Sequence, residues 1–486
     1  MAHTFIDNFL GNLQAGEKKA IGRYLRNHIS NAEQSKTISV FEQLSEGRPV
    51  QYKSPAALNK IKSRIFEMSL DALMMDENYL STTFCDFDQK HFQLKKQMLQ
   101  CKILNLNSSK SKTEVIDHIL SNLIKTAEKY EVYPILIEAL TFKKHLHFAR
   151  VYKSHFERID KKIIFYERCN KAMYEATDRY YWFILDIEGI KSRSRQELFA
   201  FLISSVKKMK SDYRATKSQQ INYYLQLFNL ILFEYKKEYT SAIKQCKRIL
   251  ELMQKHPCIY RKKRAGFMYD NLSYYSLFLN RRREAELFIQ KAKDYFSPDS
   301  IDMMICNEIE FGVFFYNKKL NLAESSADHL LTYPTLFTGL FRKAKYTFYK
   351  ACVHFEQREF NKAMKLLLKP LEIEKDKSEW NIVIRIFTIM LYIELNKISD
   401  ASRTLEALRK YLDRNKQDDK IKKRDHLIAK CLRELEKNDF EYDAGNKALK
   451  NILTQLAAKS SDVSWEYFSP ELIPFHEWLG KRVERL

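Results

Sequence analysis

Apolar residues recur along nearly the whole chain at intervals of three and four, the spacing that places side chains on one face of a helix. No segment shows a convincing strand-and-turn ladder. The stretch 271–292 carries the pattern most clearly. Leu272, Tyr275 and Leu279 share one face, and Ala285, Phe288, Ile289 and Ala292 share another. Between the two sets stands Asn280, a residue type that tolerates the left-handed backbone a tight turn between helices requires. Small Ala285 and Ala292 let the second helix approach its neighbours closely. The spacing predicts two short helices packed back to back.

The unit repeats. An alanine in the same frame recurs at Ala242, Ala285, Ala323, Ala363 and Ala401, at steps of 43, 38, 40 and 38 residues. In four of these units an apolar or aromatic residue lies three before the alanine (Tyr239, Leu320, Phe360 and Ile398), whereas Arg282 takes that place in the remaining one. Self-similarity at a near-constant period is the mark of stacked repeats, in which each hairpin buries its apolar face only against its neighbours. The spacing resembles the tetratricopeptide repeat (TPR), with Asn271, Leu272 and Ser273 in the first helix and Asn280 at the usual glycine position. Ala285, Ile289 and Ala292 match the small–large–small pattern of the second helix. The steps exceed the standard repeat of about 34 residues, so these are degenerate members with lengthened helices or loops.

The resemblance covers roughly residues 220–410. It implies an all-α fold, an α-solenoid coiled as a right-handed superhelix, that binds a protein or peptide on a concave face lined by the first helix of each hairpin. In this frame the groove-facing positions include Tyr224, Asp270, Tyr274, Glu308, Tyr316, Lys345, Phe348 and Glu394. Such a mix suits an extended peptide, since rings supply buried area and charges fix register. Exchange of Tyr274 and Phe348 for alanine is expected to weaken partner binding without unfolding the chain.

The flanks read as further helices. Residues 1–80 form a small module with helices around Phe5–Leu10, Ile21–Ile29 and Val40–Leu44. After the turn EGRPVQYKSP, with Ser54 as N-cap and Pro55 at the first helical position, comes a clean stripe of Leu58, Ile61, Ile65, Met68 and Ala72. This is the order of a helix-turn-helix reading head, and equally that of a cap closing the solenoid's first face. Residues 81–215 read as diverged hairpins, residues 216–437 as the TPR-like repeats, and residues 438–486 as capping helices with an aromatic tail. In the tail, Pro474 opens a short helix whose Phe475, Trp478, Leu479 and Val483 share a face. It serves either as the last cap or as a segment that docks into a partner's groove. Layout as a whole is similar to that of bacterial TPR-like helical-repeat proteins of about this size.

Composition changes the picture in two ways. Ten glycines and nine prolines are few for 486 residues, which favours a nearly all-helical chain, and a net charge of +22 favours anionic partners. Residues 141–172 hold nine Lys or Arg against three acids, and residues 191–217 hold eight against two. The alternative function is therefore a regulator that binds DNA or RNA through Lys60, Lys62, Arg64, Arg193, Arg195, Lys207, Lys208, Lys210, Arg261, Lys262, Lys263 and Arg264, with the solenoid as sensor.

Eight cysteines without a C-x-x-C pair read as reduced core thiols, and no metal site or cofactor is expected. Phosphate-binding glycine loops, nucleophile elbows and H-E-x-x-H are absent from the sequence, so no enzymatic activity is expected. The start MAHTFIDNFLGNLQAGEKK lacks a basic leader before an apolar run, and the longest apolar stretch, Ile382–Ile393, is too short to span a bilayer. A cytoplasmic setting is the expectation.

Overall fold

The structure, a computed structural model, describes residues 2–29, 31–50, 52, 54–106, 109–146, 153–187, 193–298, 300–333, 335–367, 380–414, 421–442, 445–458 and 463–483. Among the described residues there are 23 helices and no strand. Two compact units emerge, one of residues 1–232 with 249–261, the other of residues 233–248 with 262–486.

The first unit begins with α1 (Ala2–Gly11), α2 (Ala15–His28), α3 (Asn31–Ser45) and α4 (Pro55–Met75), which enclose Leu10, Ile21, Leu25, Phe41, Ile65 and Ala72. Ser54 caps α4 by accepting from the Ala57 amide at 3.4 Å, and Pro55 opens it, as the sequence predicts. There follow α5 (Glu77–Thr83), α6 (Asp86–Leu106), α7 (Lys110–Tyr130), α8 (Tyr133–Leu146), α9 (Lys153–Ile187), α10 (Arg195–Thr216) and α11 (Gln219–Tyr235). From α6 to α10 each helix packs on its sequential neighbour. Glu131, left-handed at φ 52°, turns the chain between α7 and α8. Its carboxylate accepts from the Ser218 hydroxyl and the Gln219 and Gln220 amides at 2.7–3.0 Å, which caps α11.

The repeats have a common joint. α11 pairs in sequence with α12 (Tyr239–Lys255), α13 (Lys262–Phe278) with α14 (Arg282–Lys293), and α15 (Ile301–Tyr316) with α16 (Leu320–Thr332). α17 (Thr335–Glu356) then pairs with α18 (Phe360–Leu367), and α19 (Trp380–Glu394) with α20 (Ile398–Arg414). Three residues join the helices of each pair, and the middle one is left-handed: Lys237, Asn280, Lys318, Arg358 and Asn396, at φ 56–62°. The next residue donates its amide to a carbonyl five positions back, as in Arg281 to Ser276 (2.8 Å), Lys319 to Phe314 (2.9 Å) and Lys397 to Tyr392 (2.8 Å). This is the Schellman closure of a helix.

Five residues beyond each left-handed position comes the alanine of the predicted ladder, and all five alanines are fully buried. Ser273 donates its hydroxyl to the Ala285 carbonyl at 2.8 Å, which shows how tightly a second helix closes on its first. The TPR-like hairpin stack is thus built at its turns.

Only Asn280 and Asn396 belong to a residue type suited to this conformation. Arg358 is exposed, so its left-handed backbone is an uncompensated cost. Exchange for glycine removes a penalty of about 1–2 kcal/mol and adds about 0.5–1 kcal/mol of chain entropy, a net gain of about 0.5–1 kcal/mol. Arg358→Gly is therefore expected to raise the denaturation midpoint of the second unit. An unchanged or lowered midpoint would show that this backbone carries no strain.

First and second helices differ in how they are buried. On α14 only Ala285, Ile289 and Ala292 are buried, and on α20 only Ala401, Leu405, Leu408 and Leu412, a single stripe in each case. On α13 nine positions between Ala265 and Leu277 are buried, and α15 and α19 are similar. A helix flanked on both sides by other helices has no polar face to show. The apolar stretch from Ile382 is such a helix, and its Arg385 lies over the Tyr411 ring at 4.9 Å.

The second unit continues with α21 (Lys423–Glu436), α22 (Lys447–Ala457) and α23 (Phe475–Val483). Leu449, Ile452 and Leu456 join its core, together with Phe475, Trp478 and Leu479. Seven of the eight cysteines are buried and none is bonded to another. Among the described residues no group of side chains could hold a metal ion, and no helix is long and apolar enough to cross a membrane.

Candidate partner-binding face of the second unit

The eight positions nominated from the repeat frame separate into four groups. Tyr224 lies in the first unit, buried against Tyr180 and Tyr223. Asp270 and Phe348 are core residues, 2% and 1% exposed, and so present nothing to a partner. The Phe348 ring sits edge-on to Trp380 and Phe387, so its exchange for alanine opens the core, contrary to the expectation above. Glu308 and Lys345 face each other across α15 and α17 at 2.8 Å, and Glu308 also accepts from the Tyr346 hydroxyl. Tyr274, Tyr316 and Glu394 form the floor beneath one segment of the chain. The reason for this mixture is the all-round burial of the first helices, which leaves spacing unable to tell a groove position from a core position.

That floor is occupied. The chain's own segment from Val463 to Leu479 crosses the C-terminal ends of α13, α15 and α19. The Phe468 ring stacks on Tyr274 at 4.8 Å, and its amide donates to the Tyr316 hydroxyl at 3.2 Å. Tyr316 is also met by Tyr467 at 4.9 Å and Trp465 at 5.8 Å between ring centres. Further along, the Trp478 indole donates to Glu394 at 2.7 Å. Burial pushes the Tyr274 phenol well above its ordinary range, so it stays neutral beneath the ring it carries.

Two irregularities meet at Phe468. Its own backbone is left-handed at φ 58°, which costs a bulky residue about 1–2 kcal/mol. Beneath it, Gly312 interrupts the apolar helix α15, where glycine costs about 1 kcal/mol relative to alanine. A Cβ on Gly312 would run into the Phe468 ring, 2.8 Å from Cζ and closer still to Cε1. The glycine makes room for the ring, a role that spacing within α15 does not announce.

The far half of the segment is pinned by Arg424, on the first turn of α21 and 5% exposed. Its guanidinium grips both Glu471 oxygens at 2.5 and 2.8 Å and donates to the carbonyls of Leu456 (2.9 Å) and Val463 (2.7 Å). His476 Nδ1 lies 3.1 Å away, and burial, aided by the Arg424 charge, holds that imidazole below its usual range. Glu471 in turn accepts the amide of Phe475, the first residue of α23. Arg424 ends a run of basic residues in the sequence, Lys422–Arg424, yet its side chain is buried.

Six of the twelve nominated nucleic-acid contacts are engaged within the chain as follows. Lys62 is buried and pairs with Asp7 at 2.7 Å, and Arg64 pairs with Glu33 at 2.5 Å. Of these two side chains on α4, Lys62 is withdrawn into the module and Arg64 is exposed beside Glu33. Arg193 bonds Asp186 and covers the Phe201 ring at 4.1 Å. Lys208 bonds Glu175 and Asp212 at 2.8 Å, and Lys263 bonds Asp302 at 2.6 Å. Arg261 lies 3.1 Å over Phe87 and donates to the Tyr260 carbonyl at 2.8 Å. Lys60, Lys207, Lys210 and Lys262 are exposed, Arg264 is half-buried, and the Arg195 side chain lies outside the described residues.

No family model matches the sequence, and no curated protein matches it. Solved structures do. The apo form of RapI is 15% identical, with the match covering 75% of this chain and 86% of that one at a TM-score of 0.43. A signal transduction ATPase with numerous domains (STAND) protein with a tetratricopeptide repeat sensor, from Pyrococcus horikoshii, is 12% identical at a TM-score of 0.39. That match covers 84% of this chain and 65% of the other. The all-helical repeat fold is carried by the hairpin geometry itself.

Proposed function

We propose that this chain is a non-enzymatic scaffold or adaptor, set in the cytoplasm, that binds a protein or peptide partner on the face built by the first helices of its second unit. One observation carries the reading: that face already holds an aromatic segment, with the Phe468 ring stacked on Tyr274, the Tyr467 ring edge-on to Tyr316 and an indole bonded to Glu394. A surface that seats one such segment has the chemistry to seat another, because aromatic anchors dominate peptide recognition. The rival reading, a regulator that binds DNA or RNA, draws on the net charge of +22, but Lys62, Arg64, Lys208 and Lys263 are already bonded to carboxylates.

Capture of partners from native lysate by the tagged full chain, with and without nuclease, tests the choice. A protein retained after nuclease and reduced about tenfold by Tyr274→Ala, which corresponds to about 1.4 kcal/mol, is the expected result. Loss of every protein on nuclease treatment, with nucleic acid recovered, would favour the regulator.

A further inference from the structure

We propose that Gly312 and the rings around it form a binding seat for one aromatic side chain of a partner, and that Phe468 fills this seat as an internal stand-in. The partner segment is an acidic-aromatic peptide that resembles the W-E-Y-F run of the tail. This inference rests on the partner reading above and names the chemistry recognised at that face.

The argument starts from the seat. A glycine in mid-helix, a stacked Tyr274, a tilted Phe278 and an edge-on Tyr316 make a slot the thickness of a ring. The Tyr316 hydroxyl takes the backbone amide of the residue in the slot, which fixes the register of the turn Glu466–Ser469. Two residues before the ring, Glu466 pairs with Lys237, so the seat prefers an acid at that position.

The tail itself is built in two halves. Residues 470–475 are all buried and locked through Glu471 to Arg424, whereas residues 463–469 are all half-buried. Phe468 also holds a left-handed backbone to reach the slot, a strain that a foreign peptide need not adopt. Displacement is thus cheap for the latch 466–469 and costly for the anchor, to which Val463 and Trp465 are tied through Arg424 and the Glu471 carbonyl. A partner that takes the seat removes the latch and leaves the anchor in place.

The probe is a fluorescent peptide of sequence VSWEYFSP, residues 463–470, titrated into the full-length chain. Phe468→Ala vacates the seat and is expected to bind the peptide at least tenfold more tightly than the wild type. Adding Gly312→Ala closes the seat with a methyl group and should return binding to the wild-type level or below. Equal binding by wild type and Phe468→Ala, or undiminished binding by the double variant, overturns the proposal.

Should Phe468→Ala fail to fold, Gly312→Ala alone reports from the other side. It is expected to expel the ring, so that protease cleavage within 466–469 accelerates at least tenfold, and unchanged protection overturns the proposal. A wild-type dimer in sedimentation that Phe468→Ala abolishes would assign the seat to a second copy's tail and overturn the foreign partner. A nuclease-resistant protein captured equally by wild type and Phe468→Ala would overturn the seat while the scaffold reading stands. Peptide bound at the seat with no protein captured by either chain would sustain the seat and overturn the scaffold.

Discussion

Arg424→Ala is expected to destabilise the second unit by about 3–5 kcal/mol, the scale for removing one partner of a buried ion pair. The guanidinium is the only cation within bonding distance of Glu471 among the described contacts, and Glu471 is itself 9% exposed. Without it a carboxylate remains in a low-dielectric site, and the carbonyls of Leu456 and Val463 lose a donor. The effect should be nearly independent of salt, because screening acts on exposed charges. Glu471→Ala should cost a similar amount, and the double variant less than the sum of the two. Recovery will be partial, since the two carbonyls stay orphaned. Chemical denaturation of the full chain, followed through the unfolding of the second unit, measures the cycle. A loss below about 1 kcal/mol, the range of exposed pairs, would mean that the clamp does not hold the tail in solution.

The second large effect depends on pH. Asp270 lies within α13, and neither carboxyl oxygen meets a hydrogen-bond donor in good geometry; the Cys306 thiol offers only slight relief. Burial, with a smaller push from Asp302, raises its pKa from 3.8 to about 7. Between these values the folded chain binds a proton that the unfolded chain has released, so stability falls as pH rises from about 4 to about 7 and is flat above. At about 1.4 kcal/mol per unit, the full cost above pH 7 is of the order of 4 kcal/mol. Asp270→Asn removes the titration. Its amide is starved of partners as well, so a constant offset accompanies the change, and the slope is the test. The difference in stability between variant and wild type should grow in the variant's favour from pH 4.5 to pH 8. Parallel curves across that range would exclude a buried titrating Asp270.

Both effects arise at residues that the sequence presents otherwise. Arg424 stands in a run of basic residues, and Asp270 at a groove position of the repeat frame. Much else was legible. The alanine ladder, the turn at Asn280, the Ser54–Pro55 start of α4, the buried helix from Ile382 and the final helix opened by Pro474 all stand where local spacing puts them. Of the nominated positions, Tyr274, Tyr316 and Glu394 lie beneath the C-terminal segment, whereas spacing gave no sign of Gly312, Phe278 or the segment's return. The mid-helix glycine of α15 was the one local signal for the seat, and it makes sense only once Phe468 is above it.

The division follows from the range of the forces. Helices, caps and left-handed joints are set by contacts three to five residues apart, and a second helix such as α20 shows its single buried stripe directly in its spacing. Sequence alone was therefore sufficient for the hairpins and their repetition. The face that the C-terminal segment covers was decided by tertiary structure. First helices such as α13 are buried on all sides and carry no polar stripe to read. The contacts that make the site join residues far apart in the chain, Phe468 to Tyr274 and Tyr316, Trp478 to Glu394, Glu471 to Arg424. No local periodicity encodes which aromatic returns to which glycine, because that pairing is fixed only when the hairpins have stacked and left a slot of one ring's thickness.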